Sequence, residues 1–172
     1  SSFGGIKDDA YLEILRRTII ADSPLESVVL LEIQPEKQKT RVDFAATETF
    51  FGIRPVCVTK IKKRGRQLFY EREGRDVRIE RIYNRVIFDD LFQQTPEVQE
   101  KGKILFENLD VEWAPHPNWF YRISKYTMPL IRHPYVPPTF YLNEVKQVPA
   151  DLENYVLKPL FSFAGQGVVI DV

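Results

Sequence analysis

Lys158 closes the apolar segment Tyr155-Val-Leu-Lys158-Pro, and Gly165-Gln166-Gly167 follows a few residues later. A strand that delivers a fixed ammonium, then a loop whose backbone N–H groups no side chain obstructs, makes a cradle for a polyphosphate. The competing reading of Lys158 is an edge-strand side chain whose amine snorkels to water. A Gly-x-Gly turn between two strands says little alone. The lysine at the end of the incoming strand is what gives it weight.

Other residues carry weaker signals. Arg85, planar and permanently charged, can clamp a substrate carboxylate, or it can simply pair with Asp89 or Asp90. Lys60-Ile-Lys-Lys-Arg-Gly-Arg66 is the one basic run, readable as a solvated turn between strands or as a phosphate-binding patch. His116 and His133 each precede a proline and have no Cys or His partner at ligand spacing, so loop histidines are expected rather than a metal site. Trp113, Trp119, Phe120, Tyr121 and Tyr126 suggest base stacking, but with no basic groove around them packing is the simpler account. The chain has no Gly-x4-Gly-Lys-Ser/Thr and no Gly-x-Ser-x-Gly, and Gln34-Pro-Glu-Lys37 lacks the glycine fingerprint of a dinucleotide site.

The elements that must position these groups follow from periodicity. Tyr11, Ile14, Leu15, Thr18 and Ile19 recur at helical spacing over 8–20, with Asp8 or Asp9 able to cap. Ser27 to Ile33 is a continuous aliphatic run, suited to a strand covered on both faces. A helix is predicted from Lys39 to Phe51, with Val42, Ala45, Ala46 and Phe50 on one face and Gly52 as its stop. Arg54 to Ile61 is the next strand, and the β-α-β unit implies a parallel pair with a right-handed crossover.

Gln67–Tyr70 and Val77–Ile82 flank Glu73-Gly74, a hairpin expected to join that sheet. Asp76 to Tyr83 alternates strictly, with Asp76, Arg78 and Glu80 on the polar face. Thr95-Pro-Glu opens a helix ending near Asn108, and Leu109 to Trp113 is a short strand. A domain boundary is placed at 115–118, where composition shifts to proline and aromatic residues: 1–115 is an α/β domain, and 116–172 a linker helix and a further subdomain. Trp119 to Ile131 reads as a helix that Pro129 kinks or ends. The prolines of 133–138 force extended backbone before Thr139-Phe-Tyr-Leu142.

Composition bounds the partners. The chain has 172 residues, with 24 Lys and Arg against 24 Asp and Glu, so no global field favours nucleic acid or an anionic membrane. Cys57, the single cysteine, excludes an internal disulfide and reads as a small buried hydrophobe. No apolar run approaches the ~18 residues of a membrane span, and no signal-peptide pattern opens the chain. A cytoplasmic protein without a nucleic-acid or membrane partner is expected. Both ends read as cut, the first residue being serine and the only methionine Met128. The terminal hairpin is expected to leave a sheet edge exposed, either self-associating through it or disordered there.

Tyr155-Val-Leu-Lys158-Pro with Gly165-Gln-Gly167-Val resembles the lysine strand and glycine-rich loop of the ATP-grasp superfamily. Ser124-Lys125 followed by Val136-Pro-Pro-Thr139 is similar to that superfamily's first lysine and the strand before its nucleotide site. Arg81-Ile-Tyr-Asn-Arg85, after a β-α-β unit and hairpin, resembles the pre-ATP-grasp domain of the circularly permuted, glutathionylspermidine-synthase-like branch. The resemblance runs from about Val28 to Val172.

It implies a mainly parallel, Rossmann-like pre-ATP-grasp sheet with an added hairpin, then an incomplete α+β ATP-grasp subdomain. Lys125 and Lys158 would meet ATP phosphates or the adenine edge, and Gly165, Gln166 and Gly167 would form a lid. The implied chemistry is ATP-dependent joining of a carboxylate to an amine through an acyl phosphate, with ATP and Mg²⁺ as cofactors and a small-molecule carboxylate as substrate. Cations and backbone donors would stabilise the transferring phosphoryl group. The acidic residues and asparagine that hold Mg²⁺ in the family are not matched, Asp171 being a single strand carboxylate, so no turnover is expected from these residues alone. The alternative expectation is a non-catalytic α/β module whose sheet end binds a partner or small metabolite.

Overall fold

The computed structural model describes residues 5–162 and 165–170, and the chain divides into two compact units, Ser1–Pro117 and Asn118–Val172. The first is a mixed α/β unit built on a parallel sheet. Its centre is β1 (Val28–Glu32), buried at all five positions. Val28 and Leu30 pack with Ile19 and Ile20 of α1 (Asp8–Ile20) and Phe44 of α2 (Arg41–Phe51). Val29 and Leu31 alternate to the opposite face and are also fully buried. That double coverage is why the strand reads as an unbroken aliphatic run. Each such side chain contributes roughly 2 kcal/mol of burial.

β1 pairs in parallel with β2 (Arg54–Cys57) on one side and with β6 (Arg81–Asn84) on the other. β7 (Glu112–Ala114) adds to β6, giving the all-parallel order β2-β1-β6-β7. The hairpin does not join this sheet. β3 (Lys62–Arg64), β4 (Gln67–Arg72) and β5 (Arg75–Ile79) form a separate antiparallel sheet of three strands. The alternating segment Asp76–Tyr83 is therefore shared between two sheets. Glu80 is the joint: its N–H donates to the Ser27 carbonyl oxygen at 2.9 Å and its carbonyl accepts from Glu112 at 2.8 Å. Alternation alone cannot reveal such a hand-over, because β5 and β6 bury every second residue alike.

Helix faces also differ from the periodic reading. α2 buries Phe44 and Thr47, while Val42 and Phe50 are exposed. α1 buries Ile19 and Ile20, leaving Tyr11 and Ile14 outside, and neither Asp8 nor Asp9 caps it. The helix expected over 95–108 is α4 (Pro96–Gly102) followed by a 3-10 turn over Lys103–Phe106; α4 packs against the 3-10 turn Val58–Lys60 that ends the β2 segment. A short helix that the sequence reading missed, α3 (Phe88–Phe92), stands between β6 and α4.

In the second unit, α5 is only Trp119–Arg122, succeeded by 3-10 turns over Lys125–Leu130 that carry Pro129. Proline removes a donor and clashes with the preceding turn, so the long helix does not form. Thr139 to Tyr141 is coil, and Val136 closes a turn onto the His133 carbonyl at 2.9 Å, so the strand expected there is absent. β8 (Val156–Leu157) and β9 (Val169–Ile170) pair antiparallel as the terminal hairpin. Among the described residues, no helix is long and apolar enough to cross a membrane.

Candidate functional site

Register Val156↔Ile170 and Leu157↔Val169 places Lys158 and Pro159 directly after β8, at the mouth of the loop. Gly165 and Gly167 adopt φ of 77° and 70°, and Val168 donates to the Gly165 carbonyl at 3.1 Å, so 165–168 is a tight turn. A side chain at Gly167 would meet Pro159. The turn is thus folded down on the Lys-Pro step. Asp171 lies outside the described residues.

Lys125 comes to this loop from another segment. Ser124 fixes the start of its turn, with Oγ donating to the Tyr121 carbonyl at 2.7 Å and accepting from the Tyr126 N–H at 3.3 Å. The Lys125 ammonium then donates to the Ser162 carbonyl oxygen at 2.5 Å and to its hydroxyl at 2.9 Å. Ser162 is four residues beyond Lys158, a chain distance of at most about 14 Å. Both amines therefore attach to one hairpin, Lys125 half-buried and Lys158 exposed. An ammonium has three donors; the two bonds to Ser162 leave one for a ligand oxygen.

Aromatic rings surround that contact. Phe161 stacks on Tyr126 at 5.7 Å and 20°, and meets Tyr121 edge-on at 5.5 Å. Tyr141 packs on Tyr126 at 5.5 Å and donates its hydroxyl to the Tyr126 carbonyl. Tyr121, Tyr126 and Phe161 all remain exposed at their outer faces. Of the aromatic residues that read as packing, Tyr121 and Tyr126 meet Phe161 while about half exposed, and they border a cationic hairpin. In the same unit a groove of about 510 Å³ is lined by Ile131, Arg132, His133, Val136, Thr139 and Phe140.

Arg85 lies in the first unit, just past β6, where its N–H donates to the Leu31 carbonyl at 3.0 Å. Its guanidinium sits 5.7 Å from the Phe44 ring centre and 5.8 Å from that of Tyr83. Its acidic neighbour is Asp43 at 3.8 Å, not Asp89 or Asp90. Glu32, the last residue of β1, is only 6% exposed, and its Oε1 accepts from the Ile33 N–H at 2.7 Å. Burial, with Asp90 nearby, pushes its carboxyl up to about 7 against the opposing pull of the Ile33 N–H and Arg85. Asp90 accepts from Gln38 at 3.3 Å and Gln94 at 3.1 Å, and Gln38 also donates to the Ile33 carbonyl. The sequence reading passed over Glu32. Its signal was a carboxyl inside an otherwise aliphatic buried run.

The basic run is engaged by carboxylates: Lys62 and Arg64 by Asp76, Lys63 by Glu107, and Arg66 by Asp110. Asp76 is held below the usual carboxylate range by Lys62, with Arg64 adding to it. Such neutralisation leaves little positive field for a phosphate. The Cys57 sulfur accepts from the Gln34 N–H at 3.3 Å and the Thr59 hydroxyl at 3.1 Å. His116 packs against Trp113, and His133 Nδ1 accepts from the Tyr135 N–H. Among the described residues, no group of three or more His, Cys, Asp or Glu is placed to hold a metal ion. In comparisons with known proteins, no protein-family model, curated protein or solved structure matches the chain significantly.

Proposed function

We propose that the chain is part of an ATP-grasp-like, ATP-dependent carboxylate–amine ligase, cytoplasmic, whose second unit supplies the hairpin that meets the nucleotide. The observation that supports it is the Lys125 ammonium on Ser162, which ties a second cation to the loop that Lys158 enters. In this reading Lys125 and Lys158 bind ATP phosphates or the adenine edge, and Gly165, Gln166 and Gly167 close over them. The exposed faces of Tyr126 and Phe161 suit an adenine ring, since base–aromatic stacking is worth about 1–3 kcal/mol.

Arg85 of the first unit is assigned to clamp a carboxylate. In the ligase reaction the substrate carboxylate attacks the γ-phosphorus, giving an acyl phosphate and ADP. The amine then attacks the acyl carbon and inorganic phosphate leaves. The two ammonium groups and the loop N–H groups act on charge that develops on the transferring phosphoryl oxygens. Mg²⁺ does not fit the described residues, which offer no three-ligand set, and no step is assigned to it.

The test is calorimetric titration of ATP into the full-length protein, wild type against Lys158→Met. A tenfold or greater loss of affinity, about 1.4 kcal/mol, is expected. Unchanged affinity overturns the proposal. The second reading, a non-catalytic α/β module that binds a small metabolite at its sheet end, is favoured by one observation, the buried Glu32 ending β1 with Arg85 just past the neighbouring β6.

A further inference from the structure

We infer that the carboxyl ends of β1 and β6 form a binding site in the first unit for a small zwitterion of the amino-acid class. Its ammonium would lie against Glu32 and Asp90, and its carboxylate against Arg85. The inference extends the assignment of Arg85 as a carboxylate clamp and needs no nucleotide.

The fold gives the place. In open parallel sheets, ligands lie beyond the carboxyl ends of the strands, where neighbouring connections leave in opposite directions. In the order β2-β1-β6-β7 the chain goes from β1 to β2 on one side, and the later strands lie on the other. The divergence therefore falls between β1 and β6, whose next residues are Ile33 and Arg85.

The side chains give the ligand. Glu32 spends one oxygen on the Ile33 N–H, a bond that a glutamine carbonyl would make equally well. A buried carboxyl is costly where an amide would serve, so its charge has a use other than holding the turn. The charged groups beside Glu32 are Asp90 from α3 and Arg85 after β6, with the Cys57 thiol ending the neighbouring strand; Asp43 from α2 lies against Arg85. Glu32 and Asp90 have only Arg85 to balance them, and Asp43 also draws on that guanidinium, so this end of the sheet is short of positive charge once Glu32 ionises. The missing cation is an organic ammonium, because no three-ligand metal set forms among the described residues. Arg85 keeps donors for an anion: its Asp43 contact is long at 3.8 Å, its Tyr83 hydroxyl contact is 3.5 Å, and its side chain is 33% exposed. Gln38 and Gln94 hold Asp90 in position.

The test uses the 172-residue chain without nucleotide. Glycine, L-alanine and L-glutamate are titrated while backbone amide resonances of Ile33, Gln34, Arg85 and Val86 are followed. Acetate and methylamine, each with half of the charge pattern, serve as controls. At least one zwitterion is expected to shift those amides saturably, about tenfold more tightly than either control. Its affinity should fall about tenfold from about pH 8 to about pH 6, as Glu32 takes up a proton. Glu32→Gln should abolish that dependence, and Asp90→Asn, which spares the buried position, should weaken binding independently. No saturable shift from any of the three, or undiminished binding in both variants, overturns the inference. ATP affinity is measured separately at Lys158, so the two readings fail independently.

Discussion

A Cβ built on Gly167 stands 2.8 Å from Cγ of Pro159, whereas one built on Gly165 meets nothing within 4 Å. Both glycines have positive φ, so alanine at either costs about 1 kcal/mol of backbone strain. Only at position 167 does a steric clash with the Lys158-Pro159 step add to it. Gly167→Ala is therefore expected to open the β8–β9 pairing, and Gly165→Ala to leave it largely closed. Amide exchange at Val169 and Ile170 checks this, and equal protection in the two variants would contradict it.

Lys125 and Ser162 separate a charge from a scaffold contact. Ser162→Ala removes a hydroxyl but keeps the carbonyl that accepts the shorter bond. Lys125→Met removes the cation. Under the nucleotide proposal, Ser162→Ala should hold ATP affinity within about threefold, while Lys125→Met loses about tenfold or more. Titration of ATP into both variants decides it. Equal losses would mean that Lys125 serves only to shape the loop.

What the sequence disclosed depended on whether local pattern and tertiary partner agree. The unbroken run Ser27–Ile33 announces a strand buried on both faces, and the structure has it over Val28–Glu32. Glu73-Gly74 announces a hairpin, and β4–β5 turn there. Which sheet that hairpin enters was not legible, since it turns on Glu80 bonding to Ser27 and Glu112, contacts distant in sequence. The face of α2 was misread because Val42 and Phe50 are apolar yet uncovered, while Thr47 is buried with its hydroxyl on the Asp43 carbonyl. Lys158 and the glycines were legible as a motif. Glu32 was hidden by its neighbours, as its oddity appears only once the strand is known to have no polar face.

Arg81 joins three elements of the first unit. Its Nε donates to the Ile19 carbonyl at 2.7 Å, Nη2 donates to the Thr18 carbonyl at 3.0 Å, and Nη1 pairs with Glu112. The two carbonyls belong to the last turn of α1, where intrahelical partners run out and the helix dipole favours a cation. The side chain is 13% exposed, and its loss strands the carbonyl of buried Ile19. Arg81→Met should cost about 2–3 kcal/mol. Arg81→Lys should recover part of that, since an ammonium cannot reproduce the fork. Urea unfolding of both variants measures it, and a loss below about 0.5 kcal/mol for Arg81→Met would refute the role.

Glu32 also makes stability depend on pH, with a fixed sign. Its carboxyl titrates at about 7 when folded, against an ordinary 4.5, because burial disfavours the anion. Between those values the folded chain binds more protons at this site than the unfolded chain does. The stabilising contribution is therefore complete below about pH 4.5 and is lost as pH rises through about 7. A displacement of that size has a ceiling of about 3 kcal/mol, and relaxation with water entry lowers the expected value to about 1–2 kcal/mol. Glu32→Gln keeps an acceptor for the Ile33 N–H and carries no charge. It should match the wild type near pH 4 and exceed its stability near pH 8 by about 1–2 kcal/mol. Denaturant midpoints across that range test the claim. A variant less stable than the wild type at pH 8 would mean that the ionised carboxylate is held by more than Ile33 and Arg85 in the ligand-free protein.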